Sequence, residues 1–254
     1  MSKEKTGSQS IQSDQYAFPY HYIPEPSKRL HLSRHWGFAP SYIAALELVA
    51  AQLRPVADST GAAWRHIDIG CGDGALLHYL IRLHGLNEGQ LAGVDIDARA
   101  IAWAKMFNPN TDLHAGDMAK LTNTYHSASL VEVLEHVPLD ALPAFVADTA
   151  ALLQPGGLLV VTVPSVEKPV ASKHFQHFSF QSIRAVLESH FAEIDVRGFE
   201  RSDILTRSIH RTRTSSIAKV DAPALNRIAV RRFARLHVSQ VKCGRLFVTA
   251  KRKI

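Results

Sequence analysis

The chain has 254 residues, 46% hydrophobic and 20% charged, which suits one globular domain with additions better than two full domains. No run of eighteen apolar residues occurs and the start, MSKEKTGSQSIQSDQ, is polar, so neither a membrane span nor a secretion signal is expected. Two cysteines, Cys71 and Cys243, cannot build a disulfide framework and read as free thiols of a cytoplasmic protein, while a formal charge of +12 over residues 201–254 stands against −6 for the remainder. That asymmetry hints at an anionic partner such as RNA, a phosphorylated substrate or a membrane surface. The bland alternative is a solvated basic face balanced by the acidic body.

Residues 1–15 lack apolar periodicity and are expected to be a disordered tail. Residues 16–60 form an expected N-terminal lid and helical segment, with aromatics and prolines crowded between Tyr16 and Trp36 and an amphipathic helix over 40–53. A regular alternation then begins. Strands are predicted at 66–69, 91–96, 111–117, 129–134, 158–164 and 192–200. Helices are predicted between them at 75–83, 98–107, 141–153 and 180–190. Such alternation predicts βαβ units and a doubly wound, mostly parallel α/β sheet over a core of residues 61–200. The basic C-terminal extension, 201–254, is expected to hold helix and loop and to end in a strand over 240–252.

The most informative stretch is Asp68-Ile-Gly70-Cys-Gly72-Asp-Gly74, directly after a strand and directly before a helix. Glycines there admit a ligand close to the backbone, and the following helix offers free N–H groups. Asp95, twenty-one residues past Gly74, ends the second strand, where a carboxylate can accept two ribose hydroxyls. Gly70, Gly72 and Ala75 also satisfy the G-x-G-x-x-A dinucleotide fingerprint of dehydrogenases. The acid before the loop and a second acid, Asp117, at the end of the third strand count against that reading.

In these motifs the chain resembles the class I S-adenosylmethionine-dependent methyltransferases, over about residues 64–200. The resemblance implies that Asp68, Gly70, Gly72 and Gly74 line the methionine part of the cofactor. It further implies that Asp95 holds the ribose and that Asp117 and Met118 flank the adenine.

The fourth strand is predicted to end in Glu132-Val-Leu-Glu135-His136, two carboxylates and an imidazole that are costly to bury unless they bind something. They could converge on one divalent cation, Mg²⁺ or Mn²⁺ rather than zinc. Two methyltransferase branches have a similar E-x-x-E-H: the ubiquinone-biosynthesis O-methyltransferases and the small-RNA terminal 2′-O-methyltransferases. In the latter a later H-x-x-x-W-T follows, and His174-Phe-Gln-His-Phe178-Ser179 matches its spacing. That likeness points to His174 as a further metal ligand and leaves His177, or His136, as the catalytic base. Metal-free relatives with a similar segment leave cofactor packing or direct substrate contact open for these residues. Phe18, Tyr20, His21, Tyr22, Trp36 and Phe38 either close over the site or cap the sheet. The expected activity is methyl transfer to a hydroxyl of a small molecule or sugar, with terminal 2′-O-methylation of RNA as the alternative. A non-catalytic cofactor-binding subunit fits less well.

Overall fold

The computed structural model describes residues 11, 14–16, 39–214 and 223–254. The tail predicted over 1–15 and the lid aromatics from Phe18 to Phe38 fall almost wholly outside them. Helix α1 (Ala39–Thr60) is longer than its amphipathic core suggests and continues through Pro55. After it come β1 (His66–Ile69), α2 (Ala75–His84), β2 (Leu91–Asp95), α3 (Ala98–Phe107), β3 (Asp112–Ala115) and β4 (Tyr125–Val131). Then follow α4 (Leu142–Ala151), β5 (Leu153–Pro164), α5 (Phe180–Leu187), β6 (Phe191–Arg201), α6 (Ile204–Thr214), α7 (Pro223–Phe233) and β7 (Cys243–Arg252).

The seven strands form one sheet in the order β3-β2-β1-β4-β5-β7-β6. β1 to β5 pair in parallel, and β7 runs antiparallel to both β5 and β6. The α/β sheet is thus mostly parallel, as the alternation requires. The basic stretch is not merely appended: its last strand lies inside the sheet, so a boundary at residue 200 would cut between paired strands.

Each sheet face carries its own apolar layer. On one, Leu142, Val146, Ile183 and Leu187 of α4 and α5 meet Ala128, Leu130, Leu159 and Val161. On the other, Val49, Leu53, Leu77, Leu80 and Ile101 of α1, α2 and α3 meet Leu91, Val160 and Phe247. α7 packs Ala229 and Phe233 on Ala44 of α1. Burying these side chains is worth roughly 1.5–3 kcal/mol each against exposure, which pins the strand ends that carry the polar residues. No helix among the described residues is long and apolar enough to cross a membrane.

Candidate functional site: a glycine loop and a histidine–carboxylate cluster

β1 is buried throughout, and its period of two puts Ile67 and Ile69 on one face and His66 and Asp68 on the other. Two serines of β4 answer them. His66 Nδ1 lies 3.0 Å from Ser127 Oγ and Nε2 lies 3.1 Å from Ser129 Oγ, while Ser129 donates to Asp68 Oδ1 at 2.6 Å. Burial drives the His66 pKa down to about 3, so the ring is neutral. Burial raises Asp68 to about 7; the Ser129 bond opposes this and the charge of Asp95 adds to it.

The chain then turns through three left-handed glycines, with φ of 71° at Gly70, 55° at Gly72 and 79° at Gly74. A Cβ on Gly72 would run into the hydroxyl of Tyr16, whose backbone carbonyl accepts from Trp103 Nε1 at 3.1 Å. Asp95 at the end of β2 accepts from Gly72 N–H at 2.9 Å and Asp97 N–H at 2.8 Å. Its pKa rises to about 6 through burial, which those two N–H groups partly offset. Asp117 is exposed and accepts from Ala119 N–H at 3.0 Å, opening the short 3₁₀ turn Met118–Lys120, in which Met118 is buried.

The second cluster adjoins this loop, for a Cβ on Gly70 would meet the Val133 side chain. β4 stops at Val131, short of the predicted end at 134. Glu132 has a left-handed φ of 57°, and Leu134–His136 form a 3₁₀ turn. Phe175 N–H donates to the Glu135 carbonyl at 2.8 Å, stitching the loop after β5 to that turn. Glu135, His136 and His174 thereby offer one ligand atom each, all within 4.8 Å of one another. Glu135 is 1% exposed, and its Oε2 has no hydrogen-bond partner among the described residues. Burial, with the charge of Glu132, pushes its pKa well above the carboxylate range. Burial and the Lys173 charge lower His136 to about 4; burial and the charges of His136 and Lys173 lower His174 to about 3. An orphaned carboxylate oxygen facing two neutral imidazoles is a donor set that suits a divalent cation.

The family model described as "Methyltransferase domain" matches residues 35–201, more than half of the chain. The chain belongs to that methyltransferase family. A ubiquinone biosynthesis O-methyltransferase of Rhodopseudomonas palustris (strain BisB18) is 36% identical over 103 residues, 38% of this chain and 38% of that protein. The match thus spans well under half of the curated relative's length. Among solved structures, the magnesium protoporphyrin IX methyltransferase of Synechocystis PCC 6803 with bound S-adenosylmethionine superposes with a TM-score of 0.61 at 16% identity, covering 99% of this chain and 100% of that one. The N-methyltransferase NodS of Bradyrhizobium japonicum WM9, in complex with S-adenosyl-L-homocysteine, gives 0.58 at 14% identity, covering 97% and 99%. These likenesses show a shared fold, that of the S-adenosylmethionine-dependent methyltransferases.

Within the methyltransferase, Asp68, Gly70, Gly72, Gly74 and Asp95 meet at one turn, and Glu135, His136 and His174 at the next. One expectation needs correction. Glu132 does not join the metal-type cluster: its Oε1 accepts from Thr162 at 3.0 Å and its Oε2 pairs with Arg245 at 2.8 Å. His177, the other residue expected as a base, lies with its ring against His174. Its Nδ1 lies 3.0 Å from the Lys168 carbonyl and its Nε2 lies 2.8 Å from His174 Nδ1, so both nitrogens are engaged.

Arg245 is the buried charge beside this cluster that sequence reading did not single out. It also pairs with Glu200 at 2.6 Å and donates to Ser41, and Lys168 pairs with Glu200 at 2.7 Å. Burial would raise Glu200, yet Arg245 and Lys168 hold it down to about 2. An arginine inside the apolar run CGRLFVTA was the available signal.

Proposed function

We propose that this methyltransferase moves the methyl group of S-adenosylmethionine to a hydroxyl oxygen of a small molecule or sugar, beside a divalent cation held by Glu135, His136 and His174. The observation that carries the reading is the juxtaposition of those three ligand atoms with the glycine loop, bridged by the contact of Val133 on Gly70. The glycine loop admits the methionine end of the cofactor to the backbone, and Asp95, set by two N–H groups, presents its remaining acceptor capacity to the ribose. When bound, the cation supplies Lewis acidity that lowers the pKa of a coordinated hydroxyl. The rest is alignment: the loop and the 132–136 turn hold sulfonium and acceptor oxygen side by side, the main lever available for a displacement at carbon. Should transfer proceed without metal, His136 Nε2 takes the hydroxyl proton, since its Nδ1 is occupied by the Lys173 carbonyl at 3.0 Å.

Terminal 2′-O-methylation of RNA rests on the positive C-terminal stretch, but part of that charge is already neutralised within the fold. Arg232 pairs with Asp203 at 2.5 Å, Arg245 with Glu132 and Glu200, and Lys251 with Glu193 at 2.8 Å.

The test is methyl transfer to a panel of vicinal diols, catechols and RNA 3′ ends, with and without chelator. Glu135→Gln and chelator are expected to abolish transfer while leaving S-adenosylmethionine affinity within about twofold, because the cofactor is held elsewhere. Undiminished transfer in chelator, by protein free of metal on elemental analysis, would return these residues to acid–base or packing roles.

A further inference from the structure

β1 and β4 lie side by side in parallel, with His66 opposite Ser127 and Asp68 opposite Ser129. All four side chains therefore share one face of the sheet, where His66, Ser127 and Ser129 are wholly buried and Asp68 nearly so. They form one chain of hydrogen bonds, from Ser127 to His66 to Ser129 to Asp68, at 3.0, 3.1 and 2.6 Å. Trp64 stacks on the imidazole, with ring centroids 5.8 Å apart. A hydroxyl has a single proton to donate. While Asp68 is ionised its oxygen can only accept, so Ser129 donates there and must accept from His66 Nε2–H. His66 Nδ1 is then a lone pair that accepts from Ser127. When Asp68 is protonated the chain can run the other way: Asp68 donates to Ser129, Ser129 to His66 Nε2, and His66 Nδ1–H to Ser127. The bonds along the chain survive the reversal, and the imidazole is neutral in both directions.

The other groups around Asp68 are acids. Asp95 of β2 acts on it directly, Cys71 and Asp73 of the glycine loop stand about the same turn, and Asp97 lies beside Asp95. Burial holds the Asp68 pKa at about 7, with the Ser129 bond pulling it down and the Asp95 charge pushing it up. Ser129 engages Oδ1, and Oδ2 takes no hydrogen bond from the described residues. S-adenosylmethionine carries a sulfonium and an ammonium against one carboxylate. Such a cation, entering a turn of acids, favours the ionised form of the carboxyl group it meets.

We infer that His66 and Ser129 are positioning residues for the cofactor: with Ser127 they fix Asp68 Oδ1, leave Oδ2 to the cationic methionine end, and let Asp68 release its proton as that cation binds. The inference deepens the proposed function by naming the residues that set the cofactor's anionic partner. It rests on that reading only for S-adenosylmethionine at the glycine loop and is independent of any metal. The balance is one proton: the O–H bond of the Asp68 carboxyl breaks, the proton leaves to solvent, and Ser129 donates to the carboxylate that remains. Because the ionised form binds the cation, cofactor affinity rises with pH through the Asp68 pKa and levels off above it.

The experiment titrates the full chain with S-adenosylmethionine by calorimetry, in two buffers of different ionisation enthalpy, so that affinity and proton release are read together. Between about pH 5.5 and pH 7.5 the wild type should gain about tenfold in affinity and release a proton on binding at the lower end. Asp95, raised to about 6, adds a step in the same window, but that step and the ligand's own titration are common to all variants and drop out of their comparison. Ser129→Ala removes the bond that holds Asp68 down, so the midpoint of the rise should move up by about one pH unit or more. Affinity should then fall about five- to tenfold at pH 6 to 7 and only about twofold at pH 8. Ser129→Thr, which keeps the hydroxyl, should bring the midpoint most of the way back. His66→Leu should move it in the same direction as Ser129→Ala but less, because Ser129 still donates without a partner behind it. His66→Gln, whose amide can donate to Ser129 and accept from Ser127, should keep the wild-type midpoint. Circular dichroism on the same samples separates misfolding from an altered site, and if His66→Leu does not fold, the two Ser129 variants decide. A wild-type affinity that is flat across the range with no proton released, or a Ser129→Ala that loses the same factor at every pH, would overturn the inference. So would a folded His66→Leu that matches the wild type throughout. A wild type that does not bind S-adenosylmethionine at any pH would instead sink the cofactor of the proposed function, and this inference with it.

Discussion

Replacing Asp68 by Asn probes the buried His66–Ser129–Asp68 chain directly. Asp68 is 3% exposed, and its pKa is raised from 3.8 to about 7. A carboxyl group whose folded-state pKa lies above its unfolded value stabilises the fold fully below the unfolded pKa. That stabilisation is lost as pH rises through the folded one. At about 1.4 kcal/mol per unit, a shift of roughly three units implies that Asp68 takes about 2–3 kcal/mol of stability away between pH 5 and pH 8. His66, His136 and His174, held at about 3, 4 and 3, act in the opposite sense, since their neutral burial costs stability as pH falls below 6.5. Wild type alone would therefore report a mixture. The difference between wild type and Asp68→Asn cancels the histidines, because Asn keeps an acceptor for Ser129 and has no proton to lose. Urea unfolding of both proteins at pH 5 and pH 8, without cofactor, should show Asp68→Asn gaining on wild type by about 2–3 kcal/mol across that interval. Parallel stability curves, with a change below about 0.5 kcal/mol, would show that Asp68 is ordinarily ionised and that the burial argument fails.

Gly72→Ala should cost about 1–2 kcal/mol for an L-residue at positive φ, with a further clash on Tyr16. Thermal melts should record the loss, and Tyr16→Ala in the same chain should restore only the part due to the clash. Arg245→Met should destabilise by about 3–5 kcal/mol in urea, because it strands Glu132 beside Glu135 in the interior. Adding Glu132→Gln should recover much of that loss, and strict additivity of the two would refute the pairing.

The alternation of strands and helices was plain in the sequence because apolar runs such as LLVVTV cannot be anything but buried, and Asp97, which caps α3 by accepting from Arg99 and Ala100, marks that helix locally. The glycine loop was equally plain, since glycines at spacing two after a strand have few other uses. The end of β4 was not. Nothing local says that Glu132, a non-glycine residue, adopts a left-handed φ, or that its carboxylate pairs with an arginine 113 residues further on. Reading Arg245 as one more surface cation hid both the fate of Glu132 and the interior position of β7. The contact of His177 with His174 was half legible: the spacing of His174 and His177 put two imidazoles near each other, but which nitrogen faced which depended on the Lys168 carbonyl.

The insertion of β7 between β5 and β6 also bears on how the protein is made. While residues 153–201 leave the ribosome, β5 and β6 are both without the strand that lies between them, and each shows an open edge able to recruit another chain. Those edges close only when residues 243–252 emerge, so the sheet cannot finish folding during synthesis of its first six strands. The long-range pairing this demands is slow compared with local helix formation, so β5 and β6 keep open edges well after their own residues have been made.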